Sequence, residues 1–219
     1  MGDFVQNCIR DGSLVLYHDY RSGTALDWSG NGKNGVLLPL GTVFTGKGLR
    51  VFSVNPAEAL GTTAIDLSGT AECSLLWKCS TLGDPFNTCL TMPSNWAVVF
   101  DSIFLGSSAF GNKRAQISVK GDVGYTSWVT ATYETPPDCV FSASLNKALP
   151  AANEVVGYIN GAQSGAILIN SNNTNNFGNN SPYAGKSATT SHVGNIESFM
   201  IFNRALSAAE HFQLHREIF

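Results

Sequence analysis

The sequence predicts an all-β protein, an antiparallel sandwich of two sheets with a short helix at the C-terminus. Short segments that alternate apolar with polar residues recur along the chain, and a helical pattern occurs only near the C-terminus. The composition, with 22 Gly, 13 Phe, 6 Tyr and 4 Trp in 219 residues, is typical of strands joined by turns. We expect an N-terminal arm over residues 1–13 and a single domain over residues 14–219, because sandwiches of this length commonly form one unit.

Most of the predicted strands are short runs in which every second residue is apolar. In residues 115–120, for example, Ile117 and Val119 fall on one face and polar residues on the other. Turn-forming residues separate the runs. Strands are predicted at residues 14–17, 49–54, 73–79, 97–105, 115–120, 127–133, 140–145, 155–159 and 166–170.

A hairpin and a loop are predicted in the second half of the chain. Asn160-Gly161 favours a type I′ turn, in which both central residues have positive φ. We therefore expect residues 155–159 to pair with residues 166–170. Residues 170–183 are rich in asparagine and are predicted to form a long surface loop.

The C-terminal helix is predicted from its start signal. Ser207 is followed three positions later by Glu210, which is the spacing of a capping box, and residues 208–218 can continue as about three helical turns. We expect Phe212 and His215 to face the sandwich.

Composition and charge exclude several classes of partner. Charged residues make up 13% of the chain, against a usual share of about 25%. A net charge of −3 provides no basic field, so nucleic acid is not an expected partner. No run approaches the ~18 apolar residues of a membrane helix, and residues 1–13 are too short and polar for a secretory signal. Synthesis in a cytosol is expected.

The five cysteines are expected to be reduced and mostly buried. Their spacing matches neither a zinc site nor a small disulfide framework. Alternation in residues 73–79 places Cys73 and Cys79 on the face of the strand that also carries Leu75 and Trp77. This face is predicted to be the core face.

Segments near the two ends of the chain resemble the signatures of one family. Residues 27–35, Asp-Trp-Ser-Gly-Asn-Gly-Lys-Asn-Gly, match an Asp-x-Ser-Gly-Asn-Gly-x-x-Gly loop that follows a first strand. Residues 196–210 match a last strand that continues into Asn-Arg-Ala-Leu-Ser-x-x-Glu. Both patterns occur, in this order, in laminin-G-like, concanavalin A-like jelly-roll domains. The resemblance implies a two-sheet jelly roll, and it extends more loosely through residues 75–78 and 156–161.

Catalysis is not expected. Glycoside hydrolases of this fold need two carboxylates that flank the scissile bond, and the retaining enzymes carry them as Glu-x-Asp-x-x-Glu on one strand, an arrangement absent from this sequence. No Gly-x-Ser-x-Gly segment marks a nucleophile. His211 and His215 have the spacing of a metal-binding helix, but Phe212 occupies the position of its catalytic Glu. The two histidines are interpreted as ordinary helix residues.

The resemblance also raises a calcium site, because relatives of this fold bind Ca²⁺ through loop carboxylates and carbonyls. The oxygen donors nearest the 27–35 loop are Asp27, Asn31 and Asp19. The alternative is that Asp27 caps the turn by accepting main-chain N–H bonds. This alternative is favoured, since calcium takes about 6 to 8 oxygens and the sequence does not place them. No cofactor is therefore expected, and calcium stays an open alternative.

Aromatic residues outside the expected core are candidates for stacking on sugar rings. The alternative is that each of them is partly buried packing. The candidates are Trp28, Trp96, Tyr125 and Tyr183.

Two functional hypotheses follow. The first is a structural protein of a virion, such as a phage capsid decoration or tail-associated protein, because domains of the resembled family usually act outside cells whereas residues 1–13 are not an export signal. Its partners would be the subunits of the particle, with surface glycans as further ligands. The alternative is an extracellular, lectin-like carbohydrate-binding module. Under the first hypothesis the arm contacts neighbouring subunits through its apolar residues, Phe4, Val5, Cys8 and Ile9.

Overall fold

The computed structural model describes residues 1–37, 42–51, 60–79, 88–92, 102–107, 115–129, 139–169, 171–184 and 194–218. Helix α1 is Asp3–Arg10 and helix α2 is Ala208–Ile218. The strands are β1 (Leu14–Asp19), β2 (Val36–Leu37), β3 (Thr42–Thr45), β4 (Gly48–Val51), β5 (Leu60–Gly61), β6 (Ile65–Asp66), β7 (Glu72–Cys79), β8 (Thr88–Met92), β9 (Ser102–Ser107), β10 (Ala115–Lys120), β11 (Tyr125–Val129), β12 (Cys139–Asn146), β13 (Val155–Ile159), β14 (Ala162–Gln163), β15 (Ala166–Ile169), β16 (Asn179–Asn180), β17 (Tyr183–Ala184) and β18 (Gly194–Phe202).

Two eight-stranded antiparallel sheets form the body of the molecule. The first sheet has the order β14-β13-β12-β7-β18-β4-β3, and β1 also pairs with β18. The second sheet has the order β15-β11-β10-β9-β8-β17-β5-β2, while β6 and β16 form a separate pair. The predicted antiparallel sandwich is confirmed, and strands from the two ends of the chain meet at the centre of the first sheet.

The main core lies between the two sheets. Cys73, Leu75 and Trp77 point into it from β7, as the alternation of the sequence predicts, and each is at most 1% exposed. Trp77 stacks on Phe141 of β12 with ring centroids 5.0 Å apart. These contacts bury the large apolar side chains whose removal from water stabilises a sandwich. The side chain of Cys79, predicted on the same face, lies outside the described residues.

The described thiols are consistent with the reduced state. Cys8 and Cys73 are free and buried, and burial raises the pKa of both thiols. A thiol that stays protonated is a poor nucleophile, so these two cysteines act as small apolar core residues.

A second apolar cluster covers the outer face of the first sheet. Helices α1 and α2 pack against each other on this face, where Leu76 of β7 and Met200 of β18 are fully buried. Leu214 and Ile218 of α2 belong to the same cluster. The molecule therefore has three layers, with a pair of helices on one side of the sandwich.

The N-terminal arm requires a correction. Residues 3–10 form a helix, and the structure accounts for their order within the chain itself. Three of the residues that we expected to contact a neighbouring subunit are at most 8% exposed in the second cluster, and the fourth is partly buried against it. They pack inward because their spacing along the helix places them on one face. The residues concerned are Phe4, Val5 and Cys8, with Ile9 at the margin.

The start of α1 is capped by the other helix. The carboxylate of Glu217 on α2 accepts hydrogen bonds from the main-chain N–H groups of Phe4, at 2.8 Å, and Val5, at 3.1 Å. These N–H groups have no partner inside α1, and a carboxylate at a helix N-terminus also opposes the helix dipole. The cap joins the two ends of the chain.

The predicted capping box of α2 is confirmed. The main-chain N–H of Ser207 donates to Glu210 Oε2 at 2.8 Å, and the Glu210 N–H donates back to Ser207 Oγ at 3.3 Å. The predicted face of this helix is wrong for Phe212, whereas His215 is half-buried. His211 and Leu214 are buried against the sheet, whereas Phe212 is 53% exposed. No helix in the described ranges is long and apolar enough to cross a membrane.

The hairpin prediction is correct for the turn and wrong for the pairing. Asn160 and Gly161 have φ of 52° and 78°, as the turn requires, but the turn joins β13 to the short strand β14. Gly165, with φ of 78°, then lets the chain leave the first sheet. Strand β15 consequently pairs with β11 in the second sheet.

The asparagine-rich segment is partly a core element, which corrects the prediction of a surface loop. Asn173 and Phe177 are each 2% exposed. Asn173 Nδ2 donates to Glu154 Oε1 at 2.8 Å, and Lys147 Nζ lies 4.5 Å from the ring centroid of Phe177. Buried polar groups are tolerated here because they bond to one another.

Candidate binding face on the second sheet

The strand register shows which side chains share the outer face of the second sheet. Residues directly opposite each other on antiparallel strands project to the same side. Ile117 and Val119 of β10 belong to the core, so the residue between them faces outward. That residue is Ser118, and we call Ser118 and its partners across the sheet the outer-face row. The row crosses β9 between β10 and β8 and consists of Ser127, Ser118, Thr91, Tyr183, Gly61 and Val36.

The centre of the outer-face row is polar and buried. Ser118 and Ser127 share a hydrogen bond of 2.8 Å between their hydroxyl oxygens, and Gln116 Nε2 donates to Ser118 Oγ at 2.7 Å. All three side chains are at most 7% exposed, and Thr91 is fully buried. Among the described residues of the row, those open to a ligand lie at the β17–β5–β2 end.

The β17–β5–β2 end of the row forms an accessible apolar surface. The ring of half-buried Tyr183 lies over Gly61, so close that a Cβ atom on Gly61 would be 3.1 Å from Cε1 and 3.3 Å from Cδ1 of the ring. Because Gly61 has no side chain, the ring has room above β5. Val36, on the other side of Gly61, is 65% exposed. We call Tyr183, Gly61 and Val36 the edge platform.

Hydroxyl groups lie next to the edge platform. The N–H of Thr62 donates to the carbonyl of Pro182 at 3.1 Å, which continues the pairing of these strands beyond Gly61. Thr63 is two residues from Gly61 and Ser181 is two residues from Tyr183, so both lie on the same face as the edge platform. Thr63 is exposed and Ser181 is half-buried. An aromatic ring beside hydroxyls offers both stacking and hydrogen bonding to a small polar molecule.

Sequence reasoning identified Tyr183 and missed its neighbours in the platform. Gly61 and Val36 both lie outside the strands that the sequence predicts. Their role depends on the pairing of β5 with β17, which are far apart in the chain. No local signal predicts that pairing.

Tyr125 lies on the same face but away from the edge platform. It pairs with Lys120, whose Nζ is 5.1 Å from the centroid of the tyrosine ring, and both side chains are half-buried. Four strand spacings separate β11 from β17, which is roughly 19 Å at about 4.8 Å per spacing. The two predicted tyrosines therefore share a face and not a pocket.

Trp28, one of the two predicted tryptophans, does not belong to this face. Trp28 is 47% exposed in the 27–35 loop, and its main-chain N–H donates to the carbonyl of Tyr17 on β1 at 2.8 Å, which places it beside the first sheet. Trp96 lies outside the described residues.

Asp27 organises the 27–35 loop. Its Oδ1 accepts hydrogen bonds from the Tyr17 N–H at 3.1 Å and the Ser29 N–H at 2.9 Å, and its Oδ2 accepts one from the Lys33 N–H at 2.9 Å. Burial of the carboxyl raises its pKa, but these hydrogen bonds outweigh burial and hold the pKa of Asp27 below its ordinary value. The turn-capping interpretation is confirmed.

The three candidate calcium donors take part in hydrogen bonds within the chain. Asp19 directs both carboxylate oxygens to the Arg21 side chain at 2.8 Å, and Asn31 uses its amide nitrogen to donate to Leu14 O at 3.1 Å. Asp27 is engaged by the loop. Within the described ranges, no three His, Cys, Asp or Glu residues gather as a metal-binding group.

One buried carboxylate elsewhere has a structural role. Burial raises the pKa of Glu154, while hydrogen bonds from Thr126 and Asn173 oppose that rise. Both oxygens thus hold β11 and the asparagine-rich segment to the sandwich.

The fold and the edge platform together define a β-sandwich with an accessible aromatic surface on one sheet. The structure is similar to the receptor-binding domain of botulinum neurotoxin D, with a TM-score of 0.66 and 13% identity over 96% of this chain and 54% of that chain. It is also similar to the binding domain of botulinum neurotoxin DC in complex with rat synaptotagmin II, with a TM-score of 0.62, 14% identity and coverage of 95% and 52%. The chain spans about half the length of these neurotoxin domains.

A third similar structure has nearly the same length as this chain. Domain 4 of AbnA, a GH43 extracellular arabinanase from Geobacillus stearothermophilus, in complex with arabinotriose, has a TM-score of 0.54 and 14% identity over 93% of this chain and 98% of that domain. No family model and no curated protein matches the sequence. At such low sequence identities, the similarity establishes only the fold. This fold is the predicted β-sandwich, and the comparisons do not show the laminin-G-like family.

Proposed function

We propose that this protein is a non-catalytic carbohydrate-binding module that contacts sugar at the edge platform. The observation that carries the proposal is the position of the Tyr183 ring over Gly61, next to exposed Val36. The apolar face of a sugar ring stacks on an aromatic ring, and its hydroxyls can bond to Thr63 and Ser181. A domain of the same fold and similar length, crystallised with arabinotriose, supports this ligand class.

A glycan array followed by titration calorimetry tests the proposal. We expect the intact chain to bind at least one neutral glycan, and Tyr183→Ala to weaken that binding about tenfold, which corresponds to roughly 1.4 kcal/mol for a lost stacking surface. Trp28→Ala is the matched control, since it removes an exposed aromatic side chain elsewhere. Equal affinities for the two variants and the parent would contradict the proposal.

A second candidate function is subunit contact in a virion, and the 27–35 loop favours it. Leu26 and Trp28 are 51% and 47% exposed. The charged groups of the loop are tied inward, because Asp27 accepts main-chain bonds and Lys33 Nζ donates to Ala64 O at 2.8 Å. An apolar surface held by a fixed loop suits a neighbouring subunit.

Purified particles test this second candidate. If the chain is a capsid or tail component, mass spectrometry of purified particles should find it, and Leu26→Ser with Trp28→Ser should reduce its incorporation. Phe212→Ser, which changes an exposed phenylalanine on α2, serves as the control. Particles that lack the chain would rule out the virion role.

A further inference from the structure

The edge platform is asymmetric, and the asymmetry bears on which sugar it takes. On the inner side of Tyr183, the next residue of the row is Thr91, which is fully buried. On the outer side, beyond Gly61, is Val36 on the edge strand β2, which is 65% exposed. A sugar stacked on the Tyr183 ring can therefore contact the exposed Val36 side chain on one side, whereas the buried Thr91 on the other side offers it no accessible surface.

Val36 and Tyr183 are the side chains that flank Gly61 in the row. Direct partners on antiparallel strands have Cα atoms about 4.5 to 5.5 Å apart, so the methyl groups of Val36 stand close to the part of the ring that lies over Gly61. The Tyr183 ring provides the stacking surface, and the Val36 side chain provides an apolar contact at the edge of that surface. Among the described residues, a substituent that projects from a stacked sugar toward β2 meets the methyl groups of Val36.

The described side chains of the edge platform and of its nearest neighbours are uncharged. Thr63 and Ser181 supply hydroxyls, and Thr91 closes the inner side. Lys33, in the preceding loop, directs its Nζ to the carbonyl of Ala64 at 2.8 Å. The Lys33 ammonium beside Thr63 is already hydrogen-bonded to the main chain. At the uncharged side chains of the platform, an acidic sugar loses more hydration than a neutral sugar does.

We infer that the edge platform selects neutral sugars that carry a methyl group, such as acetamido or 6-deoxy sugars, with the sugar ring on Tyr183 and the methyl group on Val36. This inference rests on the proposed function and specifies its ligand. When the methyl group of the sugar packs on Val36, it leaves water for an apolar contact. A hydroxymethyl or hydroxyl group of the sugar at the same place would lose hydrogen bonds to water.

Paired sugars that differ in this group test the inference. N-acetylglucosamine is compared with glucose, and L-fucose with L-galactose, by titration monitored with saturation-transfer NMR; glucuronic acid is the charged comparison. We expect the methyl-bearing member of at least one pair to bind about fourfold more tightly, with its methyl protons among the most strongly saturated.

Val36→Thr isolates the methyl contact. Threonine keeps the shape and the strand preference of valine but replaces one methyl with a hydroxyl. We expect this variant to lose the fourfold preference while its affinity for the unmethylated sugar stays the same. Tyr183→Ala should weaken both members of the pair.

The outcomes separate the inference from the proposed function. If sugars bind through Tyr183 without a preference for the methyl group, or if Val36→Thr keeps the preference, the inference is wrong and the proposed function stands. Tighter binding of glucuronic acid would also overturn the inference. If no sugar binds, or if Tyr183→Ala binds as the parent does, the proposed function fails and the inference fails with it.

Discussion

The outer faces of the two sheets differ in what covers them. On the first sheet, Leu76 and Met200 project outward and are buried beneath α1 and α2. On the second sheet, the corresponding outward positions carry Ser118 and Ser127, and the accessible edge carries Tyr183. Both sheets are built from alternating strands, but the outer face of the first sheet is apolar and covered by helices, whereas the outer face of the second sheet is polar with an aromatic residue at its edge. The outward residues decide which face the chain covers with its own helices.

The largest expected effect concerns the closed face. Leu214 of α2 is fully buried in the second cluster, so Leu214→Ala should lower the free energy of unfolding by about 2 to 5 kcal/mol. Phe212→Ala, on the exposed side of the same helix, should change it by about 0.5 kcal/mol or less. Urea denaturation followed by circular dichroism measures both. Similar losses in the two variants would show that α2 does not dock as described.

The closed face should also make stability depend on pH. His211 is fully buried, and its Nε2 shares a hydrogen bond of 2.9 Å with Ser144 Oγ. Its ring stacks on Tyr158 with ring centroids 4.0 Å apart, and burial lowers the pKa of His211 to about 4. The folded state therefore favours the neutral imidazole. Its stabilisation is complete above the ordinary pKa of 6.5 and is lost as pH falls toward 4, by about 3 kcal/mol.

His211→Gln separates this effect from other titrations. The variant keeps a hydrogen-bond donor near Ser144 but cannot gain a proton between pH 6.5 and 4. The difference in unfolding free energy between parent and variant should change across this pH range. A constant difference would mean that His211 is not the buried neutral group described above.

The turn beside α2 gives an intermediate effect. Gly161 has positive φ, and a Cβ atom there would lie 2.9 Å from Phe212 Cα, so Gly161→Val should destabilise the fold by about 1 to 3 kcal/mol. Asn160→Gly, at the neighbouring turn position, should be much milder. An unchanged melting temperature for Gly161→Val would contradict both the turn and its contact with α2.

The smallest effect concerns the cap between the helices. Glu217→Ala removes the acceptor for the Phe4 and Val5 N–H groups and should cost about 1 kcal/mol. Amide hydrogen exchange should become faster in α1, while β7 stays protected. Phe212→Ala, on the exposed side of the same helix, is the control. Equal exchange in α1 for parent and Glu217→Ala would show that the cap contributes nothing.

Local patterns account for the parts of the fold that were predicted correctly. The bounds of β10 and β13 match the predicted strands, because alternation and turn residues are encoded over a few positions. The Ser207–Glu210 capping box likewise needs four residues. Each of these features depends on neighbours in the chain.

The errors arise where distant segments decide the structure. Helix α1 has eight residues, too few for a helix to be stable alone, and it depends on packing against α2 and on the cap from Glu217. The asparagine-rich segment is polar enough to predict a surface, yet Asn173 is buried because Glu154 satisfies it. The edge platform is similar, since Tyr183 gains its position from Gly61 on a strand far away in the sequence.

The proposed function requires that the second sheet binds ligand at its edge, whereas the helices close the outer face of the first sheet. The most direct measurement is a ¹H–¹⁵N NMR titration of the intact chain with the tightest-binding glycan from the array. We predict that the amides of β2, β5 and β17 shift, with the largest changes near Gly61 and Tyr183, while those of α1, α2 and β7 do not. Shifts confined to the helices or to the 27–35 loop would contradict this account.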